Sequence, residues 1–299
     1  MSRFDMQPDE PILRPEPRES VIELRCQGAL LPAIVSLPVQ SEQDLGVVVI
    51  VGGPQYRVGS HRQFVQLARH LAREGFATLR FDYRGMGDAP GEVLAFDAAR
   101  EDVRAAVDAL RRSVPSVRRV VLWGLCDAAS AALMHGTDHA DVVGVVLVNP
   151  WVRSEATLAA ATVKHYYRGR LMQREFWLKM VSGRFDWRAS LRSFGANLRA
   201  TRGAISTPAA TGGDYRDTMA RGWSCLRGPS LLILSGDDLT AREFTEYTSA
   251  QPSWQKLLAR TDVRRVELPD ADHTFSRREW KAQVERETSR WLHEALCPA

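Results

Sequence analysis

The run Val47-Val48-Val49-Ile50-Val51 constrains this chain more than any other stretch. Consecutive β-branched residues favour strand over helix, and successive side chains of a strand point to opposite faces, so this strand is apolar on both. It must be covered on both sides, which is the situation of a parallel sheet sandwiched by helices. The segments that follow obey the same logic. Strands Ala77 to Phe81, Arg119 to Trp123 and Val142 to Val148 alternate with helices His61 to Glu74, Asp97 to Arg112 and one starting at Asp127. The sequence predicts an α/β fold with a doubly wound, mostly parallel sheet.

Other segments flank or interrupt this series. Val21 to Arg25 and Leu31 to Leu37, linked by Gln27-Gly28-Ala29, read as an opening antiparallel hairpin. After Val148 the alternation stops, and residues 151–227 carry Arg- and aromatic-rich helical stretches with a Gly/Thr/Pro-rich loop near Thr207 to Gly213. This segment reads as an inserted helical cap. The rhythm returns with strand Ser230 to Leu234, a helix from Ala241, strand Val263 to Leu268 and a closing amphipathic helix from Arg277 to Leu296. The expected organisation is a core of residues 1–150 and 228–299, with 1–19 a loosely ordered N-terminal extension, and a cap of residues 151–227.

Composition narrows the function classes. A chain of 299 residues can bury one large core with room for an insert. Its net charge of +4 comes without a Lys/Arg run interleaved with aromatics, so nucleic-acid binding is not expected. Met1 to Ser20 holds no apolar run fit for a signal peptide or membrane span, and a cytoplasmic location is expected. Cys26, Cys126, Cys225 and Cys297 are scattered, form no Cys-x-x-Cys pair and read as reduced thiols. No G-x-G-x-x-G follows the first buried strand, and neither a cofactor nor a metal is expected.

The chemistry concentrates at the strand ends. Arg119 to Trp123 runs into Gly124-Leu125-Cys126-Asp127-Ala128, a G-x-C-x-A pattern at a strand-to-helix junction, followed by Ala129, Ser130, Ala131 and Ala132. A nucleophile on so sharp a turn needs small residues two positions before and after it. The start of the following helix also favours a thiolate. The plainer alternative is a buried core thiol. A cysteine nucleophile needs a base and a group to orient that base. His273, in the loop after the last strand, is the candidate base. Ser235-Gly236-Asp237-Asp238 offers two candidate acids after the preceding strand, and position relative to the glycine favours Asp238 over Asp237. Two turn aspartates capping a helix are the alternative.

An oxyanion hole needs two backbone N–H donors. Asp127, directly after the nucleophile, supplies one; Gly53 is the choice for the other, with Gln55 in reserve, since Pro54 has no N–H. Tyr56, Arg57, Arg84 and Trp151 are expected to line the substrate cleft; Asp82 to Asp88 is a glycine-rich turn that could line its mouth but reads first as a structural loop.

With elbow, acid and histidine in this order from about Ser20 to Leu296, the chain resembles the α/β-hydrolase superfamily. More narrowly, Val51 to Arg62, Trp123 to Ser130 and Asp272-His273-Thr274-Phe275 resemble the first of the two exosortase A system-associated hydrolases, which implies a bacterial setting of exopolysaccharide production and protein sorting. Against the superfamily pattern, Cys126 replaces the usual Ser, Val51 stands where a His often precedes the oxyanion glycine, and Asp127 puts a carboxylate after the nucleophile. A carboxylate beside a thiolate raises the thiol pKa, so Asp127 is expected to pair with a cation such as Arg84. The implied activity is an acyl-group hydrolase forming an acyl-cysteine intermediate from a thioester or activated ester, its partner a small-molecule or carrier-linked acyl substrate. An acyltransferase, or a non-catalytic binding protein on the same fold, fits the same residues.

Overall fold

The computed structural model describes residues 16–39, 43–53, 55–93, 95–153 and 214–297. Most of the expected cap, including its basic residues from Lys164 to Arg202, lies outside the described residues, as do residues 1–15.

Among the described residues, eight strands form one sheet in the order β1-β2-β4-β3-β5-β6-β7-β8. The opening hairpin consists of β1 (Arg18–Cys26) and β2 (Ala29–Leu37), joined by Gln27 and Gly28, both at positive φ. Such a two-residue turn matches the twist of the strands it connects. β2 also pairs antiparallel with β4 (Ala77–Phe81). All remaining pairings are parallel, through β3 (Leu45–Ile50), β5 (Arg119–Leu125), β6 (Val142–Val148), β7 (Ser230–Asp237) and β8 (Val263–Asp272). The doubly wound, mostly parallel sheet expected from the apolar runs is the fold of this chain.

The helices are α1 (Gln63–Arg73), α2 (Arg100–Ser113), α3 (Asp127–His135), α4 (Tyr215–Cys225), α5 (Leu239–Ala250), α6 (Pro252–Leu258) and α7 (Arg278–Leu296). They cover both sheet faces. Val48 and Ile50 of β3 enter the apolar layer shared with α2, α3, α4 and α5, while Leu45, Val47 and Val49 enter the layer shared with α1 and α7. Every residue of β3 is buried. α2 begins at Arg100 rather than near Asp97 because a short 3-10 turn, Phe96–Ala98, precedes it.

Two segments sit differently from the sequence reading. Helix α4, counted there with the cap, groups with the sheet and its helices in one compact unit. Its Trp223 is fully buried and donates to the Ser230 hydroxyl at 3.0 Å. Residues 16–19, assigned there to the extension, are tied to the core through Glu19. That carboxylate accepts from Arg80, only 2 % exposed, at 2.8 Å and from Arg69 at 2.6 Å. A buried guanidinium demands such a partner, and an apolar pattern cannot reveal one.

One polar bridge binds the C-terminal ends of three neighbouring strands. Asn149, fully buried with φ 45°, accepts from the Ser235 N–H at 2.8 Å and donates to the Ser235 hydroxyl at 2.9 Å, and that hydroxyl donates to the Asp272 carbonyl at 3.2 Å. Asn tolerates the left-handed conformation better than most residues. Replacing Asn149 by Ala leaves the Ser235 N–H buried and unpaired, at a cost of about 1–3 kcal/mol. The expected result is a lower midpoint of urea denaturation for Asn149→Ala, with its slope unchanged.

Candidate active site

Cys126 occupies the turn between β5 and α3 with φ 64° and ψ −125°. This is a strained conformation for a residue with a side chain, worth about 1–3 kcal/mol, and it persists only where surrounding contacts over-determine it. They do so here. The Cys126 N–H donates to Val148 O at 2.9 Å, while its carbonyl accepts from the N–H of Ala129 at 3.0 Å and of Trp151 at 3.2 Å. The small-residue pattern is a steric requirement: a Cβ on Gly124 would stand 2.4 Å from the Ala128 carbonyl oxygen. Cys126 is half-buried.

Asp238 is buried and caps α5, accepting from the N–H groups of Thr240 at 3.0 Å and Ala241 at 3.2 Å. The same carboxylate meets His273 Nδ1 at 2.8 Å. Asp237, by contrast, is exposed and faces Arg242 at 3.7 Å. Of the two neighbouring carboxylates, Asp238 is therefore the one that touches the histidine. With Nδ1 engaged, Nε2 is the ring nitrogen left for proton exchange.

The His273 loop has its own internal brace, which sequence reading missed. The Asp272 carboxylate accepts from the N–H groups of Thr274 at 3.2 Å and Ser276 at 2.9 Å, and from the Ser276 hydroxyl. Partial burial works against its charge, but the Ser276 and Thr274 hydrogen bonds outweigh it and hold the carboxyl below its usual range. The spacing Asp272-x-Thr274-x-Ser276 was the available signal, a side chain closing its own loop.

The structure corrects the expectation for Asp127. Its carboxylate does not pair with Arg84. It accepts from the Gly53 N–H through both oxygens, at 2.8 and 2.9 Å. Burial pushes this carboxyl up, and the N–H groups of Gly53, Ala128 and Asp127 itself, followed by the charge of His273, pull it partly back. His273 thus lies within electrostatic reach of the elbow. The Tyr83 phenol is pushed well above its usual value, by burial first and by the Asp127 charge second.

Arg84 is committed elsewhere. It grips the buried Asp102 carboxylate of α2, at 2.8 Å through Nη2 and 3.0 Å through Nε, and contacts the Gln27 side chain. Arg57, expected in the cleft, folds back onto Asp82 and onto Asp88 at 2.7 Å. These two arginines brace the turn that follows β4 rather than present free charges to a ligand. Tyr56 beside them is 45 % exposed. Gln55 turns its side chain to the Ser60 N–H at 3.2 Å. Trp151 is tied to the elbow through its backbone, its N–H donating to the Ser130 hydroxyl at 3.1 Å as well as to the Cys126 carbonyl. Among the described residues no three His, Cys, Asp or Glu side chains are grouped to hold a metal ion.

A half-buried thiol on a strained strand-to-helix turn, with a carboxylate-bound histidine after the last strand, defines the architecture of an α/β hydrolase. The profile of the alpha/beta hydrolase family matches residues 47–286, and the chain belongs to that family, an enzyme of the hydrolase class. An esterase of Pyrococcus furiosus shares the fold with a TM-score of 0.64 at 14 % identity, over 93 % of this chain and 92 % of that one. An esterase of Butyrivibrio proteoclasticus with ferulic acid bound gives 0.60 at 15 % identity, over 93 % and 100 %. A dienelactone hydrolase of Anabaena variabilis gives 0.59 at 17 % identity, over 94 % and 99 %. No curated protein matches the chain.

The elbow yields a direct test of its steric logic. Gly124→Ala forces a methyl group against the Ala128 carbonyl and is expected to cost about 1–3 kcal/mol, the range of overpacked sites. A thermal melt of the variant should show a clearly lower transition, with iodoacetamide reaching Cys126 at an altered rate.

Proposed function

We propose that the protein is an acyl-group hydrolase in which Cys126 is the nucleophile, His273 the base and Asp238 the group that orients His273. The observation that carries this reading is the 2.8 Å contact between Asp238 and His273 Nδ1, on strands whose C-terminal ends lie on the same sheet edge as the Cys126 elbow. In the proposed reaction His273 Nε2 takes the thiol proton and Sγ attacks the acyl carbon. The N–H groups of Gly53 and Asp127 receive the charge on the substrate oxygen. The adduct collapses to an acyl-cysteine, and the leaving group departs with the proton held by His273. Water, deprotonated by His273, then attacks the acyl carbon and returns the thiol.

A thiolate is itself a good leaving group, so an adduct with an alkoxide tends to fall back to reactants. Thioesters and activated esters suit this nucleophile best, either as small molecules or carried on a larger arm. The esterases and the dienelactone hydrolase that share the fold are precedents for carbonyl chemistry on it. The likeness of Val51 to Arg62 and Trp123 to Ser130 to the exosortase A system-associated hydrolases supports a setting beside exopolysaccharide production. No helix among the described residues is long and apolar enough to cross a membrane.

The test uses the thiols' different surroundings. Burial raises the Cys26 and Cys297 thiols, whereas Cys225 is exposed and open to alkylation. On a Cys225→Ser background, iodoacetamide is expected to modify Cys126 ahead of Cys26 and Cys297, as read by peptide mass spectrometry. Cys126→Ala should abolish hydrolysis of a chromogenic acetyl thioester, and His273→Ala should lower kcat by about 10²–10⁴, the contribution of a positioned base. Turnover unchanged in either variant would remove Cys126 or His273 from the mechanism.

A further inference from the structure

We infer that the Asp127 carboxylate is a built-in stopper of the oxyanion hole, making Asp127 a specificity-determining residue that an acyl substrate must displace or neutralise before it reacts. The inference rests on the acyl-cysteine reading above. In that reading the Gly53 and Asp127 N–H groups take up the charge that grows on the substrate oxygen.

Of these donors the Gly53 N–H is already engaged. The Gly53 N–H points at both oxygens of the Asp127 carboxylate, at 2.8 and 2.9 Å, and the N–H groups of Asp127 itself and of Ala128 also stabilise the same charge. An internal carboxylate occupies the Gly53 N–H, the donor that the substrate oxygen would use. The backbone is shaped around it: a Cβ on Gly52 would lie 2.2 Å from Asp127 Oδ1, so the space left by that glycine is the space the carboxylate uses.

The surroundings keep it there. Arg84 is bound to Asp102, and Arg57 to Asp82 and Asp88, so neither guanidinium competes with Gly53 for the carboxylate. Among the described residues, the charge of His273 reaches Asp127, and the Asp127 charge reaches the buried Tyr83 phenol. A substrate oxygen gaining negative charge beside this carboxylate meets like-charge repulsion and finds the Gly53 N–H taken. Uncharged esters and thioesters should therefore turn over slowly in the native enzyme for an electrostatic reason, with the thiol itself intact.

The experiment compares the native enzyme, Asp127→Ala and Asp127→Asn on acetyl thioester and p-nitrophenyl acetate. One oxyanion-hole donor is worth about 10²–10³ in kcat, so restoring the Gly53 N–H should raise kcat of Asp127→Ala by about tenfold or more with KM little changed. Asp127→Asn, nearly isosteric and uncharged, should rise by a smaller factor, and it carries the test if the alanine variant fails to fold. Neither a folded Asp127→Ala nor Asp127→Asn exceeding the native kcat would overturn the inference. Intact-mass detection of acetylated Cys126 separates the two ideas: acetylation without acceleration sinks the stopper alone, and absence of acetylation in every form sinks the acyl-cysteine reading with it.

Discussion

Two-sided burial of the central strands is the constraint on which the rest of this molecule depends. β3 has no exposed residue, and its alternate side chains enter different apolar layers. A strand buried in this way satisfies its backbone only through strand neighbours, and parallel neighbours require crossover connections. Parallel pairing then brings the C-terminal ends of β3, β5, β7 and β8 out at one sheet edge. Gly53, Cys126, Asp238 and His273 lie at that edge because each follows such a strand.

The local devices there are steric and polar in turn. Small residues admit the strained Cys126 turn, with a Cβ excluded at Gly124. Asn149 ties β6 to β7, and Ser235 passes the tie to β8, so the loops that bear Asp238 and His273 start from strand ends that are linked. Asp272 then closes the His273 loop on itself. The Asn149–Ser235 part of this tie is buried, and such bonds hold only while every partner is satisfied.

The fold was legible because it is written in local patterns: valine runs for buried strands, Gln27-Gly28 for the hairpin, and Gly124 and Ala128 around Cys126. The pairing of Asp238 with His273 was legible as chain order, and position after Gly236 already favoured Asp238 over Asp237, which faces Arg242 instead. What the sequence hid was who pairs with whom. Arg84 satisfies Asp102 across eighteen positions, and Asp127 reaches back to Gly53 across seventy-four. Nothing in the residues near Asp127 favours a backbone N–H over a guanidinium; the choice is made by which group β3 delivers to the elbow. Trp223 and Glu19 were misplaced at segment boundaries for a similar reason, since burial by distant partners leaves no periodic trace.

Asp238 serves two structures with a single carboxylate, the first turn of α5 and the imidazole of His273. Asparagine or serine could begin the helix, but neither would bring a negative charge to the ring. Glutamate would bring the charge on a longer arm, and the helix start would have to be redrawn around it. Natural variation at this position is thus caught between two readers of the same side chain, and any lineage that drifts from aspartate must rebuild a helix terminus to keep its histidine oriented.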